Sequence, residues 1–124
     1  MRPLRLAAAA ATVVALTTIS AVAHGEVSPR FETETNAVLC TTRSLAAEAE
    51  RALLQRDEPG LQRLLNSHDC TSVPAGRRVE YVSEREMKLL MPLPQVRVFG
   101  RGRTADQSTT GYMPSWQFKN VSKP

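Results

Sequence analysis

A charge-free apolar run, Leu6 to Ile19, sits directly behind Arg2 and Arg5 and is followed by Ala21-Val22-Ala23. This segment decides how much chain is left to fold, and in which compartment. A short positive start, an apolar core and small residues two apart before the cut are the marks of a secretory leader. As a helix, such a core satisfies its backbone polar groups internally and presents apolar side chains to lipid. The rival reading is a permanent membrane span, which needs about 20 strongly apolar residues; this core is shorter and rich in alanine. The sequence therefore predicts a leader over residues 1–23, cleaved near Ala23, with no stable membrane anchor afterwards. No Cys follows the run, so no lipid attachment is expected. The arginine-bearing start and alanine-rich core are bacterial in style and predict the periplasm, or secretion beyond it.

Taking away 23 of the 124 residues leaves one domain's worth of chain. The formal net charge of +4 includes Arg2 and Arg5, so the remaining domain carries +2. That weak balance, together with export, argues against a nucleic-acid partner.

Cys40 and Cys70 both lie beyond the leader. An even cysteine count in an oxidising compartment predicts one disulfide. Closing a loop of about 30 residues stabilises a fold by roughly 3–4 kcal/mol in the chain-entropy model. A metal or redox pair is the alternative. Two cysteines this far apart, with only His24 and His68 to help and no C-x-x-C, make a poor zinc set. No metal and no cofactor is expected.

Along the domain, residues 24–35 are polar around Pro29 and read as a flexible lead-in. Asn36 to Thr41 is a short apolar run that predicts the first strand. From Ser44 the period changes: Leu45, Ala49 and Leu53 recur every four residues, with charges elsewhere, which predicts an amphipathic helix to Arg56. Asp57 can cap a second short helix that accepts Pro59 in its first turn and buries Leu61, Leu64 and Leu65. The chain from Asn66 then returns Cys70 towards Cys40. From Val73 onwards the signals are β: a turn at Pro74-Ala75-Gly76, a strand over Arg77–Ser83, and a strand over Gln95–Phe99 with Val96 and Val98 on one face. Glu84–Met91, between those strands, reads as a hairpin loop or one helical turn. Pro92 and Pro94 mark a boundary, because proline cannot serve a central strand. Gly100–Gly111 reads as a long polar turn, and residues 122–124 as a tail.

The closing segment Gly111-Tyr112-Met113-Pro114-Ser115-Trp116-Gln117-Phe118 resembles the signature of SH3-type barrels. There, a Gly-aromatic-apolar strand meets a one-turn 3₁₀ helix and then a last short strand. Val73–Val82, with its Pro-x-Gly-x-x-Val, is similar to the second strand of bacterial SH3-like domains. The resemblance covers about residues 36–121 and implies a small, mainly β SH3-like barrel. Residues 44–67 would be a helical insertion pinned by Cys40–Cys70. The alternative architecture is a small α+β domain with helices packed on a β-meander. The resemblance does not bring proline-rich ligand binding with it. That groove is lined by aromatics, and here Gln117 stands where a tyrosine is common, while no Trp opens the Gln95–Phe99 strand. Bacterial SH3-like domains often bind peptidoglycan or serve as interaction modules, a fold-level analogy only.

Catalytic readings are thin. His68-Asp69-Cys70 invites a nucleophile, but Cys70 is expected to be oxidised and adjacent residues rarely face one another. Glu80, Glu84 and Glu86 resemble paired carboxylates for glycoside cleavage less than they resemble a solvated strand end. No phosphate-binding glycine loop, G-x-S-x-G or H-E-x-x-H is present. Arg97, Arg101 and Arg103, with Arg77 and Arg78, form a basic region suited to carboxylate or phosphate. Tyr112, Pro114 and Trp116 are the accompanying partner-binding candidates, with Trp116 expected to be exposed. The sequence thus predicts a non-enzymatic periplasmic interaction module for an envelope protein or peptidoglycan. The alternatives are an inhibitor or immunity-type protein that blocks an envelope enzyme, and an envelope hydrolase.

Overall fold

The computed structural model describes residues 29–122. The expected leader, the start of the lead-in (24–28) and the end of the tail (123–124) lie outside the described residues. The elements run β1 (Phe31–Thr33), β2 (Ala37–Cys40), α1 (Arg43–Leu54), α2 (Glu58–Asn66), β3 (Cys70–Val73), β4 (Arg78–Tyr81), α3 (Glu84–Lys88), β5 (Gln95–Phe99), β6 (Ser108–Tyr112) and β7 (Phe118–Asn120). One-turn 3₁₀ helices cover Gly102–Thr104 and Ser115–Gln117. The fold is mainly β: a seven-stranded antiparallel half-barrel in the order β3-β2-β6-β5-β4-β1-β7, with three helices. No helix among the described residues is long and apolar enough to cross a membrane.

The two faces of the sheet follow from strand register, because side chains alternate. Val79 lies opposite Val98 and Tyr81 opposite Val96, so these four share the inner face. Ala37, Leu39, Val73, Met113 and Phe118 join them in the inner core. Phe31, Tyr81 and Phe118 meet edge-to-face there, with ring centroids 5.2–5.8 Å apart. On the outer face, Val38, Cys40 and Cys70 pack under α1 and α2 with Ala46 and Ala49. The helices cover only the β3-β2-β6 end of that face. At the other end, Arg78, Glu80 and Arg97 form ion pairs at 3.4 and 3.9 Å in solvent.

The helices begin as the sequence indicates. Thr42 caps α1 by accepting the Leu45 N–H, and Asp57 caps α2 by accepting the Gly60 N–H at 3.0 Å. Cys40 and Cys70 sit opposite each other on β2 and β3 and form the disulfide. It closes the base of the helical excursion.

Three expectations need correction. Residues 31–33 of the expected lead-in form β1, a strand held between β4 and β7. Only Phe31 advertises it, and its partners lie far along the chain. Cys70–Val73 is a strand, although its two middle residues are polar and exposed because it is a sheet edge. The polar turn ends at Gln107 rather than Gly111, since Ser108-Thr109-Thr110 already pair with β5. Their β-branched residues suit a strand, but their exposed side chains give no apolar alternation to read.

Candidate functional site

Proline and a 3₁₀ turn decide where Trp116 points. Pro114 ends the run of β6 at φ −58°, ψ 133°, and Ser115–Gln117 then turn with three residues per revolution. Successive side chains therefore diverge by a third of a turn. Gln117 is driven inward and is only 2% exposed, whereas Trp116 is left 48% exposed. The Trp116 indole Nε1–H donates to Glu50 Oε2 on α1 at 2.8 Å, which fixes the ring across the helix–sheet junction.

One exposed apolar residue of α1 shares the side that carries this contact. Leu54 lies one helical turn beyond Glu50, on the same side of α1, and is exposed. The Ser115 N–H donates to the Pro92 carbonyl at 2.9 Å, which ties the loop after α3 to the start of the 3₁₀ turn. That loop carries Leu89 and Leu90, the latter 79% exposed. Leu54, Leu89, Leu90 and Trp116 are the four large hydrophobic residues left exposed among the described residues. Leu90 is also held at φ 54°, a left-handed conformation. It occupies the position after the α3 C-cap where glycine is normal. Its N–H donates to the Met87 carbonyl and that of Met91 to the Glu86 carbonyl, the Schellman pattern. The residues in the same position after α1 and α2, Arg56 and His68, share this conformation at φ 57° and 66°.

The six partner-binding candidates read from the sequence do not form one patch. Pro114 is fully buried. Tyr112 is half-buried beneath the helices, with the Arg43 guanidinium 4.9 Å from its ring centroid. Arg97 is engaged by Glu80. Arg101 and Arg103 ride the tip of the β5–β6 hairpin, beyond Ser108, whereas Trp116 follows the opposite end of β6 at Tyr112. Four residue steps of strand, roughly 13 Å, separate those ends. Only Trp116 belongs to the apolar corner. Leu54, Leu89, Leu90 and the positioning Glu50 were not read as a site, although the apolar Leu89-Leu90-Met91 behind a charged helical turn was a signal that no strand pattern absorbed.

The carboxylates considered for chemistry are each engaged. Glu86 receives Arg43 on one oxygen at 2.9 Å and the Gln95 N–H on the other at 2.9 Å. Glu84 faces Lys88, and Glu80 faces Arg78 and Arg97. Asp69 bonds the Ser67 hydroxyl, and Cys70 is in the disulfide. Among the described residues, no three His, Cys, Asp or Glu side chains come together as a metal set.

A second concave feature lies on the inner face. Where the half-barrel stays open between β3 and the tip of the β5–β6 hairpin, a trough of about 380 Å³ runs over Leu39 and Val98. Thr71, Thr109, Gln107 and Arg77 stand in its walls.

Compared with known proteins, the chain matches no family model, no curated protein and no solved structure.

Proposed function

We infer that this protein is a non-enzymatic interaction module of the bacterial envelope, exported to the periplasm, that grips a protein partner through the apolar corner around Trp116. The observation that carries this reading is Trp116, 48% exposed and held on α1 by its hydrogen bond to Glu50, with exposed Leu54 one helical turn beyond that glutamate. A half-exposed Trp with its indole nitrogen already satisfied buries well against a partner, because desolvating it strands no donor. The SH3-like reading of the half-barrel is supported by the closing segment, where strand, 3₁₀ turn and strand follow one another over Ser108–Asn120.

The test is capture from envelope extracts by the wild-type chain and by Trp116→Ala. Truncating a hot-spot tryptophan costs about 2 kcal/mol or more, so at least about a thirtyfold loss of affinity for the captured protein is expected. Equal capture by both chains would remove the corner from the reading. Concentration-dependent sedimentation of the protein alone, abolished in the same variant, would make the partner a second copy of the chain.

A further inference from the structure

The trough on the inner face carries a ligand-directed feature separate from the Trp116 corner. Its wall contains Arg77, whose Nε is buried and finds no hydrogen-bond acceptor among the described residues. The Nε is closed to solvent, while the residue as a whole is half-buried, so what Arg77 offers a ligand in the trough is the positive charge of its guanidinium. The residue is not loosely placed. The Arg77 N–H donates to the Thr33 hydroxyl at 2.9 Å, and its carbonyl accepts the Thr33 N–H at 2.9 Å. This anchors its backbone against β1. No carboxylate among the described residues pairs with Arg77, Arg101 or Arg103, and the latter two sit on the hairpin tip that forms the far wall. Asp106, on the same tip, is the one acidic residue close to them in the chain.

The rest of the lining narrows the ligand. The floor is apolar, from Leu39, Val73 and Val98, while Thr71, Thr109 and Gln107 supply hydroxyls and an amide. A phosphate site gathers several donors around one anion; here the lining holds one cation, Arg77, beside an apolar floor and neutral hydrogen-bonding groups, and Arg101 and Arg103 stay on the tip outside it. We propose that this trough binds a carboxylate carried on an apolar body, as at the C-terminal residue of a peptide, with the carboxylate on Arg77 and the side chain over Leu39 and Val98. Guanidinium and carboxylate match in planar two-bond geometry. The volume is in the range of small-ligand clefts.

The experiment is a nitrogen–proton NMR titration of the protein with three probes: N-acetyl-leucine, its neutral amide, and inorganic phosphate. N-acetyl-leucine should move the Val98 and Thr109 amides, with the amide probe bound at least about tenfold more weakly. Arg77→Gln should lose N-acetyl-leucine binding by a similar factor. Thr109 is exposed, so Thr109→Glu should leave the fold intact while repelling the carboxylate, and it decides the matter if Arg77→Gln fails to fold. Equal binding of acid and amide, no response to N-acetyl-leucine at tens of millimolar, or phosphate binding as tightly as N-acetyl-leucine would each overturn the assignment.

Discussion

The side chain of Gln117 reaches across the inside of the half-barrel and accepts the N–H of Val38 through Oε1 at 3.0 Å, a bond between buried groups 79 residues apart. Val38 needs it. The β2 residues on either side of Val38 spend their backbone groups on β3. The Val38 N–H faces the other way, where β6 has already given over to Pro114 and the 3₁₀ turn. A side chain supplies the acceptor that a strand would otherwise provide. Gln117→Met keeps the volume and removes the acceptor, leaving a buried donor unpaired. Chemical denaturation should show a loss of about 1–3 kcal/mol.

The disulfide joins two strands already paired, at the mouth of the helical excursion. The double variant Cys40→Ala, Cys70→Ala should lose up to roughly 3–4 kcal/mol by loop-closure entropy. For a domain of this size, that corresponds to a fall in melting temperature of more than about 10 °C. A thiol assay on the native protein should find no reactive cysteine.

Gly111 sits where β2 and β6 touch at a single register point, Cys40 opposite Tyr112. A Cβ on residue 111 would lie 2.6 Å from the Cys40 carbonyl oxygen and 2.9 Å from Leu39 Cγ. Neither atom is the free end of a flexible chain. Gly111→Ala should therefore cost about 1–3 kcal/mol by overpacking, measured by the denaturation midpoint at unchanged slope.

Leu90 offers a test with opposite signs. At φ 54° a leucine carries backbone strain of about 1–2 kcal/mol that glycine avoids. Leu90→Gly should stabilise the fold by about 1 kcal/mol in thermal or chemical unfolding. The same change removes an exposed apolar side chain, so partner capture should fall while stability rises if Leu90 belongs to the docking surface. A variant that gained stability and kept full capture would make Leu90 irrelevant to docking.

Burial pushes the Tyr81 hydroxyl above the ordinary tyrosine pKa of about 10. Its folded state thus holds the proton more tightly than the unfolded chain does. The stability this contributes is complete below pH 10 and is lost as pH rises through the raised folded value. Wild-type stability should fall above pH 10, and Tyr81→Phe, which keeps the ring between Phe31 and Phe118, should flatten that part of the profile.

What the sequence reveals depends on where a residue's partners lie. The helices were legible because their caps, Thr42 and Asp57, and their buried stripes are local. Gln95–Phe99 was legible because Val96 and Val98 alternate on a central strand. β1 and β3 were not: one is three residues held by distant partners, the other an edge whose middle residues face water. The site divides in the same way. An exposed Trp116 was readable from its place in the closing segment. Its partner Glu50 was not, because the two meet only through the tertiary fold, 66 residues apart. Nor does anything local distinguish Arg77 from the other arginines until its burial is known.

The pairing of β1 with β7 also sets a timetable. Phe31 meets Asn120, and Thr33 meets Phe118, so the first strand of the domain waits for the last one to exist. A ribosome adds residues at roughly 5–20 per second, and a pairing of such long range forms late. The inner core, which needs Phe118, cannot close until residue 118 has been made. On the export route proposed above, where the chain crosses a pore unfolded, this connectivity is a built-in delay.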